Sequence, residues 1–271
     1  MNKPKQPIPL FKVYMNPSAK DAVCEVLDSG YIGQGPKVDE FEKQIGDYFG
    51  NKKVITTNAG TSALHLALHL LKKPKPHWNE DVFQGVAFVS HNWPGIEDGD
   101  EVLATPLTCT ASNWPIVANN LKIKWVDIDP TTLNMDLEDL ERKMTPKTKA
   151  IMGVHWGGYP LDLDEIRNIR ARFRKEHGWA PALIEDGAHS IGTKYKGKYL
   201  GNHGNFVMNS LQAIKHITSV DGGLLYCPHD ELYERAKLLR WYGIDRSPKG
   251  RTDFRCEADI EEWGFKFHMN D

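Results

Sequence analysis

The chain has 271 residues, enough for one large domain or two small ones at roughly 100–200 residues per domain. Lys+Arg is 34 and Asp+Glu is 36, and the formal net charge of −2 leaves no electrostatic footprint for nucleic acid or an anionic membrane surface. Hydrophobic residues at 40% and charged ones at 26% exclude disorder, and no apolar run approaches the ~20 residues that cross a bilayer.

Residues 1–20 are rich in Pro and Lys and read as an extended arm with no secretory h-region. Cys24, Cys109, Cys227 and Cys256 are too scattered for a disulfide framework or a metal knuckle, so a cytoplasmic protein is expected. A short helix is predicted over 21–27, then a glycine-punctuated loop over 29–36. Val38, Phe41, Ile45 and Phe49 predict a helix that Gly50 stops. A strand over 54–57, a turn over 58–62 and a buried helix over 63–71 follow. Residues 72–99, with three prolines and two tryptophans, read as an inserted surface excursion. The remainder alternates. Strands are expected at 101–106, 122–128, 150–155, 182–185, 205–210 and 223–227. Helices are expected at 111–119, 136–143, 163–176 and 229–242. Strands spaced by helices predict βαβ units and a mostly parallel sheet.

In an open α/β sheet, ligands sit beyond the carboxyl ends of the strands. After strand 54–57, Asn58-Ala59-Gly60-Thr61-Ser62 opens a helix whose backbone N–H groups and hydroxyls suit a phosphate; Ser and Thr are equally ordinary N-caps. After 182–185 comes Asp186, then Gly187-Ala188-His189-Ser190. An acid there caps the next turn, pairs with a lysine, or meets a protonated ring nitrogen. After 205–210, Lys215 stands among apolar neighbours ahead of Gly222-Gly223. It either snorkels from a surface turn or, partly buried, serves as a Schiff-base nucleophile. Together, a helix N-terminus, an Asp and a Lys on successive strand ends are what pyridoxal 5′-phosphate requires. It needs a phosphate cup, a partner for its pyridinium nitrogen and an amine.

Other residues carry two readings each. Gly157 and Gly158 suit a tight backbone approach, and Trp156 suits a pocket wall. His65 and His69, four apart on one helix, are a metal pair or, on the preferred reading, packing. Trp241-Tyr242-Gly243 reads as packing. Arg246 and Lys249 contact a diphosphate or, on the preferred reading, are solvated.

The motifs recur in a fixed order. They are Gly33-Gln34-Gly35-Pro36 with Phe41-Glu42, Gly60-Thr61-Ser62-Ala63-Leu64, Asp100-Glu101-Val102 with Thr105-Pro106, and Val126-Asp127-Ile128. His155 with Gly157-Gly158, Glu185-Asp186-Gly187-Ala188-His189, and Ser210-Leu211-Gln212-Ala213-Ile214-Lys215 with Gly222-Gly223 complete the set. From about residue 10 onward the chain resembles the DegT/DnrJ/EryC1/StrS family of PLP-dependent sugar aminotransferases. The resemblance implies a type I, aspartate aminotransferase-like large domain with a seven-stranded, mostly parallel sheet flanked by helices. It implies an arm at 1–20, a cofactor-binding domain at 21–250 carrying the insertion at about 72–99, and the start of a truncated C-terminal small domain at 251–271.

By the same resemblance Lys215 would anchor the cofactor and shuttle the proton, and Asp186 would pair with the pyridine nitrogen. His189 would lie beside the phenolic oxygen. Gly60, Thr61, Ser62 and Ser210 would bind the phosphate, and His268 the phosphate of a neighbouring subunit. Gly33, Gln34, Gly35 and Trp156 would border the sugar. Cys109 stands where the family stacks an aromatic ring, and Trp114 is the neighbour that would compensate. No metal is expected. Glutamate would be the amino donor and a nucleotide-linked keto-deoxysugar the acceptor, in cell-surface polysaccharide or natural-product sugar biosynthesis. The assembly would be a homodimer or a pairing with a complementing C-terminal fragment. One rival reading is a catalytically silent or split-gene fragment of this fold that acts as a dimerisation partner. The other is a PLP-dependent sugar dehydratase, a branch that carries His in place of the lysine.

Overall fold

The computed structural model describes residues 8–9, 11–73, 93–246 and 260–271. Among them the elements run α1 (Ala19–Ser29), α2 (Pro36–Phe49), β1 (Val54–Thr57), α3 (Gly60–Leu70), β2 (Glu101–Ala104), α4 (Thr110–Ala118), β3 (Lys122–Trp125) and α5 (Leu137–Lys143). There follow β4 (Thr148–Val154), α6 (Leu163–His177), β5 (Ala182–Asp186), β6 (Lys194–Tyr195), β7 (Lys198–Tyr199), β8 (Phe206–Ser210), β9 (Gly223–Tyr226) and α7 (Asp230–Leu239). The seven predicted strands form one sheet in the order β1-β9-β8-β5-β4-β2-β3. It is parallel from β8 through β3, and β9 alone runs against both of its neighbours.

Alternation along the strands divides the core. Val102, Ala104, Ala150, Met152, Ala182 and Ile184 face α3, α4 and α7, packing on Leu64, Ile116 and Leu232. Leu103, Ile151, Leu183 and Val207 face the opposite way, onto Ile45 and Phe49 of α2, Leu140 of α5 and Ile166 of α6. Burying both faces of a parallel sheet under helices is what continuous apolar strands require. Asp136 and Asp162 act as N-caps, each accepting two backbone N–H groups, so α5 and α6 start one residue past them.

Two expectations need correction, and one element was missed. The excursion at 72–99 is not confined to the surface, because its end returns Trp93 and Ile96 to the core at 5% and 2% exposure. Trp93 meets Trp179 edge-on. Residues 74–92 lie outside the described set. The helix predicted over 229–242 ends at Leu239, where Trp241 turns off to bridge Lys266. The β6–β7 hairpin was not foreseen, although Lys194-Tyr195-Lys196-Gly197-Lys198-Tyr199 alternates with a Gly at its turn.

Residues 260–271 pack back on this body. Phe265 and Phe267 donate to Leu239 O and Arg240 O, and Phe267 O accepts from the Asn58 N–H. Glu262 receives Arg235 Nε at 2.8 Å and Nη2 at 2.6 Å, while Arg235 Nη1 donates to Leu70 O and Lys72 O at the end of α3. Arg235 is fully buried, with every nitrogen partnered. Burial would raise the Glu262 carboxyl, but hydrogen bonds from Arg235 and His69 outweigh it and hold it at about 2. His65 and His69 pack edge-on against Phe265, Phe267 and Trp263, as the packing reading expected. No group of three metal-ligating side chains occurs among the described residues.

Removing Glu262 leaves a buried guanidinium without its anion. Glu262→Ala should therefore cost about 3–5 kcal/mol, read as a lower urea midpoint. Burial and the charges of His69 and Lys72 depress His65 to about 4, against about 6.5 in the unfolded chain. Between those values the unfolded chain binds more protons, so this stability is complete above about pH 6.5 and is lost as pH falls through 4. His268, depressed to about 4, acts in the same sense. The urea midpoint should drop from pH 7 to pH 5, and drop less in His65→Gln. Equal drops in the two proteins would rule out the His65 contribution.

Candidate active site

The start of α3, Asp186 and the Lys215 loop lie at the carboxyl ends of β1, β5 and β8, which share one side of the sheet. At the end of β1 the chain turns through Asn58 and Ala59 into α3. The N-cap is Ala59, whose side chain accepts nothing, while the Thr57 hydroxyl donates to Ala59 O at 2.9 Å. Thr61 and Ser62 are therefore first-turn residues and not caps, so the capping reading fails. Their N–H groups are left to point out of the helix, where a helix favours an anion. Ser210, at the end of β8, lies against this turn: a Cβ on Gly60 would sit 3.3 Å from Ser210 Cβ.

Asp186 ends β5 at 4% exposure. Its Oδ1 accepts the Ala188 N–H at 3.0 Å, so part of the turn-capping reading holds. Its Oδ2 accepts the Ser112 hydroxyl at 2.5 Å, and Ser112 Oγ also shares a hydrogen bond with Thr108 Oγ1 at 2.6 Å. Among the described residues no lysine or arginine pairs with it, so the ion-pair alternative fails. A buried carboxylate met by two neutral donors is still short of a positive charge, and a pyridinium N–H supplies one. Ser112 and Thr108 were missed in the sequence. Their i,i+4 spacing across the start of a helix that follows a strand was the available signal.

His189 joins the two principal groups. Burial lowers its pKa first, the positive charge of Lys215 lowers it further, and Asp186 opposes both. The amine and the carboxylate thus act on one imidazole. Gly157 N–H donates to His189 Nδ1 at 3.4 Å, so the neutral ring carries its proton on Nε2. The Trp156 ring lies 5.7 Å from His189, and Gly158 backs onto His189 O, the tight approach its sequence suggested.

Lys215 lies half-buried in the loop after β8. The loop closes through Leu211 N–H to Gly222 O at 2.9 Å and Ser219 N–H to Leu211 O at 3.0 Å. Gly222 has φ +151° and faces Met269 Cε, while a Cβ on Gly223 would strike Ala59 O and Gly60 N at 2.7 Å. The Gly-Gly pair is thus what lets the lysine loop abut the start of α3.

The remaining expectations divide. Cys109 is the exposed N-cap of α4. Trp114 is 62% exposed and lies two residues past Ser112, about 200° round the helix, so it points away from Asp186 and does not stand in for the missing ring. Trp156 N–H donates to Asn134 Oδ1. Arg246 is exposed, as the solvated reading expects, and it also lies over Trp241 at 4.3 Å and donates to Gln34 O. Lys249 lies outside the described residues. His268 is 8% exposed and 3.6 Å from the Trp241 ring, and its Nδ1 has no partner. Burial, then Lys266 and two arginines, keep it neutral at pH 7.

His155 and Glu185 are both fully buried, with Nε2 and Oε2 at 2.9 Å. Leu161 N–H donates to His155 Nδ1, and Asn205 donates to Glu185 Oε1. His155 N–H also donates to Asp186 O. This pair, unassigned in the sequence, braces the strand end that carries Asp186.

The model for the DegT/DnrJ/EryC1/StrS aminotransferase family matches residues 14–77 and 85–271. The structure of AtS13 from Actinomadura melliaura is 50% identical, with a TM-score of 0.85, over 97% of this chain and 64% of that one. The sugar aminotransferase CalS13 from Micromonospora echinospora is 42% identical, with a TM-score of 0.83 over the same shares. The spore coat polysaccharide biosynthesis protein SpsC from Bacillus subtilis is 32% identical over 92% of this chain and 57% of that protein. The chain spans less than two thirds of the length of each.

Ser112→Ala removes a hydroxyl bonded to a buried carboxylate. It should cost about 1.5–3 kcal/mol, read by urea denaturation, with Ser112→Thr losing less. Equal stability in all three proteins would remove Ser112 from the account of Asp186.

Proposed function

The chain belongs to the DegT/DnrJ/EryC1/StrS aminotransferase family, and on that footing we propose that its protein is a pyridoxal 5′-phosphate-dependent aminotransferase. It moves an amino group from glutamate to a nucleotide-linked keto-deoxysugar. The observation that carries this reading is the buried Asp186 carboxylate, met only by neutral donors among the described residues, together with the uncapped α3 N-terminus.

The residues present fit the cofactor. Asp186 holds a buried negative charge for a ring nitrogen, and the Thr61 and Ser62 end of α3, with Gly60 and Ser210, offers a phosphate its donors. When bound, pyridoxal phosphate supplies a carbonyl carbon for the amino group and a ring that takes up electron density. Asp186, held by Ser112 and Ala188, keeps the ring nitrogen protonated. His189 offers its Nε2 proton to an oxygen on the ring. Lys215, as a free amine, would move the proton between the amino-bearing carbon and the cofactor carbon. Gly33, Gln34, Gly35 and Trp156 border the sugar. Cys109 covers less of a ring than an aromatic side chain, so binding is looser on that face. His268 gives a hydrogen bond, not a charge, to a phosphate, because it is neutral.

The whole protein works as a cytoplasmic homodimer. In support, α1 buries none of its residues and leaves Val23 and Leu27 more than half exposed, a face that a second copy covers. The product feeds polysaccharide or natural-product glycosylation. Lys215 favours amination over the dehydratase branch, where His takes that place.

The chain mixed with pyridoxal phosphate should develop a visible absorbance that changes when glutamate is added. Lys215→Ala should abolish it, and turnover should fall by about 10²–10⁴. Asp186→Asn should weaken cofactor binding by about 10- to 150-fold. No absorbance at saturating cofactor would defeat the proposal, and absorbance with sugar dehydration but no amination would move it to the dehydratase branch.

A further inference from the structure

Three consecutive residues of the sugar-bordering loop, Gly33, Gln34 and Gly35, meet partners more than 200 positions away. Asp271 N–H donates to Gly33 O at 3.0 Å, and Arg246 Nη2 donates to Gln34 O at 3.4 Å. The next residues open α2 without a capping side chain. Gly35 is the N-cap and has none, and Pro36 follows as the first helical residue with no N–H. The donors left over are Gly35, Lys37 and Val38, and all three go to the carboxylate of Asp271. Gly35 N–H and Val38 N–H reach Oδ1 at 2.8 and 2.9 Å, and Lys37 N–H reaches Oδ2 at 3.1 Å. Gly35 leaves no room for alternatives. A Cβ there would lie 2.1 Å from the Tyr31 ring on one side and 2.8 Å from Asp271 Oδ2 on the other.

The stretch that delivers Asp271 also touches the rest of the cleft. Phe267 O accepts the Asn58 N–H just before α3, and Met269 Cε lies against Gly222 in the lysine loop. One five-residue run therefore registers the phosphate turn, the lysine loop and the sugar loop to one another. The first two are also fixed locally, by strand ends and the Gly222-Gly223 packing. The sugar loop depends on Asp271 for its helix cap.

We propose that Asp271 is a positioning residue for the sugar substrate. Its carboxylate clamps the Gly33–Pro36 loop and the start of α2 in the conformation that receives the nucleotide-linked sugar. It leaves the cofactor end of the site untouched. The proposal deepens the aminotransferase reading and rests on it for the substrate. The clamp itself rests only on the hydrogen bonds above.

The test uses the full chain loaded with pyridoxal phosphate, with nucleoside diphosphate-linked keto-deoxyhexoses as acceptors. Asp271→Ala should raise the KM for the sugar by about two- to thirtyfold, the span that loss of an N-cap covers. The glutamate-driven absorbance change and kcat should stay within about twofold. Asp271→Asn, which keeps one acceptor oxygen, should fall between. Amide exchange at Gly35, Lys37 and Val38 should quicken by a comparable factor. Unchanged exchange overturns the clamp. Faster exchange with an unchanged sugar KM, or with the glutamate reaction slowed alike, overturns the positioning role. An unaltered chain that ignores glutamate overturns the aminotransferase reading and the substrate role with it, while the exchange rates still decide the clamp.

Discussion

A carboxylate at the end of a buried strand must have its charge answered, and Asp186 is answered only in part. Ser112 and the Ala188 N–H satisfy lone pairs but bring no positive charge. In a site that excludes water, an anion in that state draws in a cation more strongly than it would at the surface. The surroundings are consistent with that demand. His189, which might have supplied the charge, is held toward its neutral form by burial and by Lys215. Lys215 sits in a loop of its own after β8. On the proposed reading, a negative charge and an amine on separate elements serve different ends of a flat heterocycle.

Most of the fold was legible because its signals are local. Strand 54–57 is found as read, and the helix stop at Gly50 appears as a left-handed C-cap. The sheet's mostly parallel order followed from strand–helix alternation. What the alternation does not contain is β9, which runs antiparallel because it returns from the lysine loop directly beside β8 with no helix between them. The end of α7 was misplaced for a similar reason. Its apolar pattern continues to Tyr242, but the pairing of residues 239–242 with 265–267 takes over the backbone groups that further helix would have used. The burial of Trp93 and Ile96 was hidden by the polar, proline-bearing composition around them.

The site was legible to the extent that its residues follow strand ends. Asp186, Lys215 and the start of α3 each occupy such a place, and the order of motifs made the set specific. Ser112 was missed because, beyond its spacing from Thr108, it matters only through its contact with a strand 74 positions away. Glu185 was given no role of its own in the sequence. Its side chain points to the opposite face of the strand, where it meets His155 in full burial. The reading of Trp114 as a replacement for the aromatic stack failed on helical geometry alone, because i and i+2 do not share a face.

The largest gap between sequence and structure concerns residues 260–271. Arg235, Glu262 and Asp271 are each unremarkable in composition, yet together they tie that segment to the end of α3 and to the start of α2. Holding a loop with two glycines in one conformation costs more backbone entropy than holding an ordinary one. Local sequence around Gly33–Pro36 supplies nothing to offset that cost, since neither the cap residue nor the first helical residue carries a side chain that bonds to the backbone. A single distant carboxylate with three N–H donors does. The two ends of the cleft are thus built on different principles. At the end that the proposal gives to the cofactor, α3 follows β1 directly in sequence. The Gly33–Pro36 loop, which the proposal gives to the sugar, is held instead by a residue more than 230 positions away in sequence.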